Sequence, residues 1–167
     1  MSNPAADRQY LPDEYLIELG KIVQSWTALD EMLNLMIQKL AGFDELHDVR
    51  SIALTVHSSF PQRMDIFKSL CEHYKQLYPH LAGYKEVAQQ IGEVQRLRNA
   101  YMHSVLGYND EERQARMARL SARGKVKSEL KAFKVKDLET VVQQTQEAGR
   151  ALYRLVLQTD PWKRPAT

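Results

Sequence analysis

The sequence predicts an all-α fold, an up-and-down bundle of four to five helices with a small basic β-hairpin inserted between the last two helices. Three observations favour it. The 167 residues include only seven Gly and six Pro, too few for a turn-rich all-β protein, whereas strong helix formers are abundant. Apolar residues recur at helical spacing along most of the chain. One stretch alternates in polarity instead and is dense in Lys and Arg.

Size and composition limit the class of protein. The length suits one domain, and we expect a single helical domain over residues 1–167 with its core between 13 and 158. The lone Cys71 excludes a disulfide scaffold. Apolar runs are far shorter than the roughly 20 residues that cross a bilayer, and the first residues lack the apolar core of a secretory signal. We therefore expect a cytoplasmic protein with no membrane association.

The first predicted helix runs from about 13 to 41, with Asp13 as N-cap and Gly42 as the C′ residue. A seam of this length indicates the core face of a bundle rather than an exposed coiled coil, since later amphipathic segments can pack on it. The apolar residues of the seam are spaced alternately by four and three positions, as Tyr15, Leu19, Ile22, Trp26, Leu29, Leu33, Met36 and Leu40.

Three further helices are predicted from apolar faces and from the residues that bound them. The third begins at Pro61, with Ser59 or Phe60 just outside it, and the fourth runs over 84–105. The second covers 45–56, and its inner face is predicted to consist of Leu46, Val49, Ile52, Ala53 and Val56.

Positive charge is concentrated between residues 113 and 136. This segment holds nine Lys or Arg and one Glu, a net +8, so the rest of the chain sums to −6 although the whole chain carries +2. Alternation through Val126, Leu130 and Ala132 predicts the inserted hairpin at about 113–135, with strands near 116–122 and 125–133. A last helix is predicted to follow, with Asp137 as its N-cap.

Most common catalytic plans are missing from the sequence. The histidines never fall at i, i+4 and no HExxH pair exists, the glycines are scattered, and no Gly-x-Ser-x-Gly motif occurs. Cys71-Glu72-His73 brings two kinds of metal ligand together, but the helical pattern turns Cys71 toward the core. We therefore expect neither a metal site nor a cofactor.

The most informative residues form the hexad Arg98-Asn99-Ala100-Tyr101-Met102-His103, near the end of the fourth helix. A guanidinium binds phosphate through two parallel hydrogen bonds, and an imidazole exchanges a proton near neutral pH. Together they are a minimal set of groups for cleaving a phosphodiester without metal. The other interpretation is that these are solvated polar residues, with His103 beside the negative end of the helix dipole.

The spacing of the hexad poses a geometric question. Arg98 and His103 are about 140° apart around a regular helix, whereas Asn99 and His103, at i and i+4, share a face. Arg98 can act with His103 in three ways. Its side chain wraps toward His103, the helix end distorts, or a second chain supplies the other group.

Arg98-Asn99-x-x-x-His103 resembles the Arg-x4–6-His signature of the HEPN superfamily (higher eukaryotes and prokaryotes nucleotide-binding), in which Asn often follows the Arg. The stretch from Trp26 to Leu33 resembles the aromatic-x-x-Leu-acid-x-x-Leu segment of many bacterial HEPN-like proteins, with Asp30 at the acidic position. The resemblance covers about residues 13–158, and it assigns no role to Asp30.

The resemblance implies a metal-independent endoribonuclease that cleaves single-stranded RNA as a homodimer, with the motifs of both subunits in one cleft. Arg98 then holds the scissile phosphate, His103 transfers protons, and Asn99 orients His103 or the phosphate. Attack by the 2′-hydroxyl leaves a 2′,3′-cyclic phosphate, so DNA is not cut. A toxin or defence effector with an antitoxin partner fits this class. The alternative is a non-catalytic HEPN-like module that binds a nucleotide, a nucleic acid or a partner protein.

The basic hairpin has two interpretations of equal standing. Lys and Arg commonly protect exposed strand edges, so the charges can be merely solvated. They can also bind RNA phosphates without reading sequence. Tyr101 and Tyr108 lie near enough to stack a base, although Tyr101 is expected in the core. The residues predicted to contact RNA are Arg116, Arg119, Arg123, Lys125 and Lys127.

Overall fold

The computed structural model describes residues 7–8, 10–43, 48–121 and 127–159. None of the helices in these ranges combines the length and the apolar character that crossing a membrane requires. In chain order the described elements are β1 (Asp7–Arg8), α1 (Asp13–Leu40), α2 (Val49–Thr55), α3 (Phe60–Tyr74), a 3-10 helix (Pro79–Gly83), α4 (Tyr84–Met102), β2 (Val105–Asn109), β3 (Gln114–Ser121), β4 (Lys127–Phe133) and α5 (Val135–Leu157).

The strands form one antiparallel sheet in the order β1-β2-β3-β4, so the predicted all-α fold with an inserted hairpin is wrong. The two predicted strands are present as β3 and β4, but β2 and β1 extend them into a four-stranded sheet that precedes the last helix. The predicted fourth helix continues through Val105, where the structure begins a strand. Strand formation depends on the neighbouring strands, and a five-residue segment shows too little periodicity to reveal them.

Two compact units make up the described chain. One takes the residues up to Ser25 together with Glu93–Gln144, and the other takes Trp26–Gly92 with the residues from Thr145 onward. The boundaries fall within α1, α4 and α5. The expectation of a single domain over 1–167 stays a prediction.

The core of the first unit lies between the inner face of the sheet and the helix segments of that unit. The ring of Phe133 meets Tyr15 and Tyr101 edge-on, with centroids 5.6 and 5.4 Å apart. These edge-to-face contacts add to the hydrophobic gain of burying three aromatic rings. The buried residues of this core are Leu11, Tyr15, Ile22, Tyr101, Ala115, Met117, Phe133, Leu138 and Val141.

In the second unit, α1 continues its apolar seam and packs against α3. Trp26 lies on Phe60, with ring centroids 4.7 Å apart. Lys39 of α1 donates to the Leu157 carbonyl of α5 at 3.0 Å. The buried apolar residues that these helices contribute include Leu29, Leu33, Met36, Leu40, Met64, Phe67, Cys71, Leu152 and Val156.

The helix ends follow the sequence in part. Gly42 has a φ of 79°, a left-handed conformation that favours glycine, which confirms it as the C′ residue of α1. Ser59, one of the two residues predicted to lie just outside the third helix, caps α3 in a capping box with Gln62, and the helix begins at Phe60 rather than at Pro61. Asp13 and Asp137 are not N-caps, because both lie inside the first turn of their helices. Asp137 accepts a hydrogen bond from the Lys134 N–H at 2.8 Å and so stabilises the start of α5 from within.

Helix α2 buries the face opposite to the predicted one. Val49, predicted to be in the core, is 78% exposed, and Ile52 and Val56 are exposed too, while Ser51 and Thr55 are buried. The Ser51 and Thr55 hydroxyls each donate to a backbone carbonyl at 2.9 Å, so burying them leaves no unsatisfied donor. The apolar face predicted over 45–56 is therefore wrong, and its member Leu46 lies outside the described residues.

Candidate functional site

The end of α4 holds the hexad in helical geometry. The helix ends at Met102, but the N–H of His103 still donates to the Asn99 carbonyl at 3.1 Å. The hydroxyl of Ser104 donates to the Ala100 carbonyl at 2.5 Å. The backbone is therefore undistorted through His103, and Asn99 and His103 share a face as their spacing predicts.

The guanidinium of Arg98 turns toward that shared face. Arg98 is half-buried, and its Nη1 donates to Oδ1 of Asn99 at 3.0 Å. Asn99 and His103 lie in the same direction around the helix from Arg98. Asn99 is about 100° away and His103 about 140° away. Of the three ways left open by the spacing, the structure shows the Arg98 side chain wrapped part of the way round and no distortion of the helix end.

His103 presents its imidazole to solvent. The residue is exposed, and among the described residues no hydrogen bond, ion pair or ring contact involves its side chain. The structure therefore joins Arg98 and Asn99 through their side chains, and joins His103 to Asn99 through the backbone alone. Both ring nitrogens of His103 can exchange a proton with a ligand.

Tyr101 anchors the hexad in the core. Its side chain is 8% exposed and packs edge-on against Phe133. Burial, with a smaller contribution from Asp137, raises the pKa of Tyr101, so the phenol stays neutral at physiological pH. Tyr108 packs against Tyr15 with ring centroids 6.0 Å apart. Tyr101 thus lies in the core, as expected, and Tyr108 contacts a core residue.

The residues predicted to contact RNA do not form one surface among the described residues. Arg116 and Arg119 are three positions apart on β3, so their side chains leave opposite faces of the sheet. Arg116 makes an ion pair with Glu112, and Arg119 lies opposite Glu129 in the β3–β4 register.

The other three residues predicted to contact RNA are Lys127, Arg123 and Lys125. Lys127 begins β4 and pairs with Ser121 in register, which places it at the far end of the hairpin from Phe133. Arg123 and Lys125 lie outside the described residues. The RNA contacts of the hairpin therefore stay a prediction.

Asp30, to which sequence analysis assigned no role, holds α3 against α1. Arg63 of α3 donates from Nη2 to Asp30 at 2.7 Å and from Nη1 to Asn34 at 2.8 Å. The side chains of Arg63 and Asp30 are 12% and 30% exposed. A carboxylate and an amide one helical turn apart offer two acceptors to the planar guanidinium fork. The segment from Trp26 to Leu33 therefore forms the α1 side of a helix contact.

The side chains of Cys71-Glu72-His73 are engaged in other ways. Cys71 is fully buried, which raises the pKa of its thiol to about 12. Glu72 accepts hydrogen bonds from Lys75 at 2.5 Å and from the Tyr84 hydroxyl at 2.8 Å. Over the described part of the chain, no three His, Cys, Asp or Glu side chains are grouped so that they could hold a metal ion.

Comparison with protein-family models, with curated proteins and with solved structures finds no match for this chain. Membership of the HEPN superfamily therefore stays a prediction that depends on the hexad.

Proposed function

We propose that this chain is a metal-independent endoribonuclease that cleaves single-stranded RNA through Arg98 and His103 and works as a homodimer. The observation that carries the proposal is the hydrogen bond from Arg98 to Asn99, which turns the guanidinium toward the helix face of His103. The exposed imidazole of His103 completes the pair of groups that phosphodiester cleavage needs.

Each residue of the site has a distinct task in this reaction. The 2′-oxygen attacks the adjacent phosphorus, the bond from phosphorus to the 5′-oxygen breaks, and a 2′,3′-cyclic phosphate and a 5′-hydroxyl result. His103 accepts the 2′-hydroxyl proton in its neutral form, and a proton is delivered to the 5′-oxygen as it leaves. Arg98 binds the non-bridging oxygens and stabilises the charge that grows on them. Asn99 holds Arg98 in place.

A second copy of the chain supplies what one copy lacks. Cleavage needs one group to accept a proton and another to donate one, and a single hexad contains one imidazole. Two hexads in one cleft provide two imidazoles and two guanidinium groups. The cytoplasm is the proposed place of action, and an antitoxin is the expected partner if the chain acts as a toxin.

The test is cleavage of a fluorescent single-stranded RNA by the purified protein in EDTA, with DNA of the same sequence as the inert substrate. We expect cleavage to fall at least about 100-fold in Arg98→Ala and in His103→Ala. Arg96→Ala and His57→Ala are the matched controls, because both residues are exposed and Arg96 lies on the same helix.

Mass spectrometry of the wild-type products should show 2′,3′-cyclic phosphate ends. Equal cleavage by the site variants and their controls, or a requirement for metal, contradicts the proposal.

The second candidate is a non-catalytic module that binds a nucleotide, a nucleic acid or a partner protein. Arg116 makes an ion pair with Glu112, and Arg119 lies opposite Glu129, so less positive charge is left to bind an extended RNA. These two contacts favour the module. Such a module should bind RNA or nucleotide without cutting it. Arg98→Ala should then weaken binding while His103→Ala leaves it unchanged.

A further inference from the structure

Strand β4 is an edge strand with an exposed apolar residue at its centre. In the described residues it pairs with β3 on one side and with no strand on the other. Leu130, the middle residue of Lys127–Phe133, is 63% exposed, and its neighbours Glu129 and Lys131 are exposed too. An edge of this kind offers unpaired backbone groups to another strand.

The outer face of the sheet carries a row of apolar residues that leads to this edge. Val105 of β2 pairs with Ala118 of β3, which pairs with Leu130 of β4, so the three side chains lie side by side on one face. Val105 is 70% exposed. The row thus runs uncovered across three strands and reaches the edge at Leu130.

Charged residues on an edge strand normally discourage pairing with a second strand. In β4 their effect depends on which residues of the two strands lie opposite each other. A twofold axis that relates antiparallel neighbours is perpendicular to the sheet and passes midway between two equivalent residues, which then lie opposite each other. With the axis at Glu129 or at Lys131, that charge faces its own copy. With the axis at Leu130, Glu129 faces Lys131 of the second chain, and all seven residues of β4 are paired.

We propose that a second copy of this chain pairs with β4, antiparallel, with Leu130 on the twofold axis. The two sheets then join into one sheet of eight strands, and the two apolar rows meet at Leu130. On the opposite face, two pairs form between Glu129 and Lys131 of different chains. The interface uses β4 and does not include Arg98 or His103, so it is a second contact beside the one that the proposed function places at the hexads, and a chain that forms both contacts assembles beyond a dimer.

Cross-linking tests the position of the axis. Residues opposite each other in an antiparallel pair have Cα atoms about 4.5–5.5 Å apart, which suits a disulfide. In mild oxidant, Leu130→Cys should form a covalent dimer in at least about half of the molecules. Val49→Cys is the control, because it is at least as exposed but lies on α2 rather than on β4. The native Cys71 is buried and should not react. Equal cross-linking of the two variants, or none in Leu130→Cys, overturns the proposal.

Sedimentation velocity on otherwise wild-type protein tests the charge register. Lys131→Glu places two carboxylates opposite each other at two positions and should weaken dimerisation at least about tenfold. Glu129→Lys combined with Lys131→Glu restores opposite charges across the axis and should restore the dimer. Circular dichroism reports that each variant is folded. Association unchanged by Lys131→Glu, or a folded double variant that associates no more strongly than Lys131→Glu, overturns the proposed register.

Discussion

Arg63 and Arg98 lie in different units of the molecule and use the same guanidinium chemistry to different ends. Arg63 reaches from α3 to Asp30 and Asn34 on α1, so its hydrogen bonds link two helices. Arg98 donates to Asn99, its own neighbour on α4, beside an exposed histidine. The first arrangement links two helices, and the second turns a guanidinium toward the helix face that Asn99 shares with His103.

The difference predicts that substitutions at the two arginines have different effects on stability. A structural arginine has acceptors from another element, and removing it leaves a partly buried carboxylate. Arg98, a proposed ligand-binding group, donates instead to a residue of its own helix, on the face that Asn99 shares with the exposed His103. Substitutions at Arg63 and around Arg98 test this difference.

The largest effect on stability is expected at Arg63. Arg63→Ala removes both interhelical hydrogen bonds and leaves Asp30 without its counter-ion, so we expect the free energy of unfolding to fall by about 2 kcal/mol. Urea unfolding followed by circular dichroism measures this. Lys68→Ala, which removes a surface ion pair with Asp65, should change it by less than about 0.5 kcal/mol. Equal losses in the two variants would remove the contrast.

The pairing of Arg63 with Asp30 should appear as coupling in a double-mutant cycle. We expect Arg63→Ala and Asp30→Ala to be coupled by about 1 kcal/mol, because each removes the same hydrogen bond at 2.7 Å. The same cycle on Lys68 and Asp65 should give a coupling near zero. An uncoupled Arg63 and Asp30 would mean that Asp30 has another role in the molecule.

Asn99 is expected to matter for activity more than for stability. Asn99→Ala removes the acceptor that orients Arg98, so we expect kcat for RNA cleavage to fall about fivefold, which corresponds to about 1 kcal/mol of activation free energy. Gln90→Ala, which removes an exposed amide of the same helix, is the control. If both variants cleave at the wild-type rate, Asn99 does not orient Arg98 for catalysis.

The smallest effect on stability is expected at His103. Within the described residues its side chain makes no hydrogen bond, ion pair or ring contact. His103→Ala should therefore change the free energy of unfolding by less than about 0.5 kcal/mol. Urea unfolding of this variant beside His57→Ala measures it. A loss as large as that of Arg63→Ala would show that His103 stabilises the helix end, and its effect on cleavage would then need another explanation.

The elements that could be predicted from the sequence are those whose pattern is long or whose end residues are specific. The seam of α1 repeats over 28 residues, and Gly42 and Ser59 end or begin helices through local backbone geometry. Short elements could not be predicted in the same way. β2 is stabilised by pairing with β3, and the burial of α2 depends on which of its two faces meets the rest of its unit.

For the candidate site, Arg98, Asn99 and His103 could be named from the sequence. Their spacing also predicted that Asn99 and His103 share a helix face. It could not show that the Arg98 side chain turns toward Asn99, since that depends on a rotamer. Nor could it show that Arg116 and Arg119 face opposite sides of a sheet, each opposed by an acid. The contact between Asp30 and Arg63 joins residues 33 positions apart and has no local signal.

Local chemistry thus set the long seam of α1, its end at Gly42 and the helix face that Asn99 shares with His103, because these depend on neighbours within a few positions. Long-range packing decided which strands pair, which face of α2 is buried and which arginine links two helices. Burial is a property of the assembled chain: Ser51 and Thr55 can enter the interior of their unit once their hydroxyls bond to their own helix, and Val49 then faces solvent. The same assembly leaves Leu130 at the edge of a sheet.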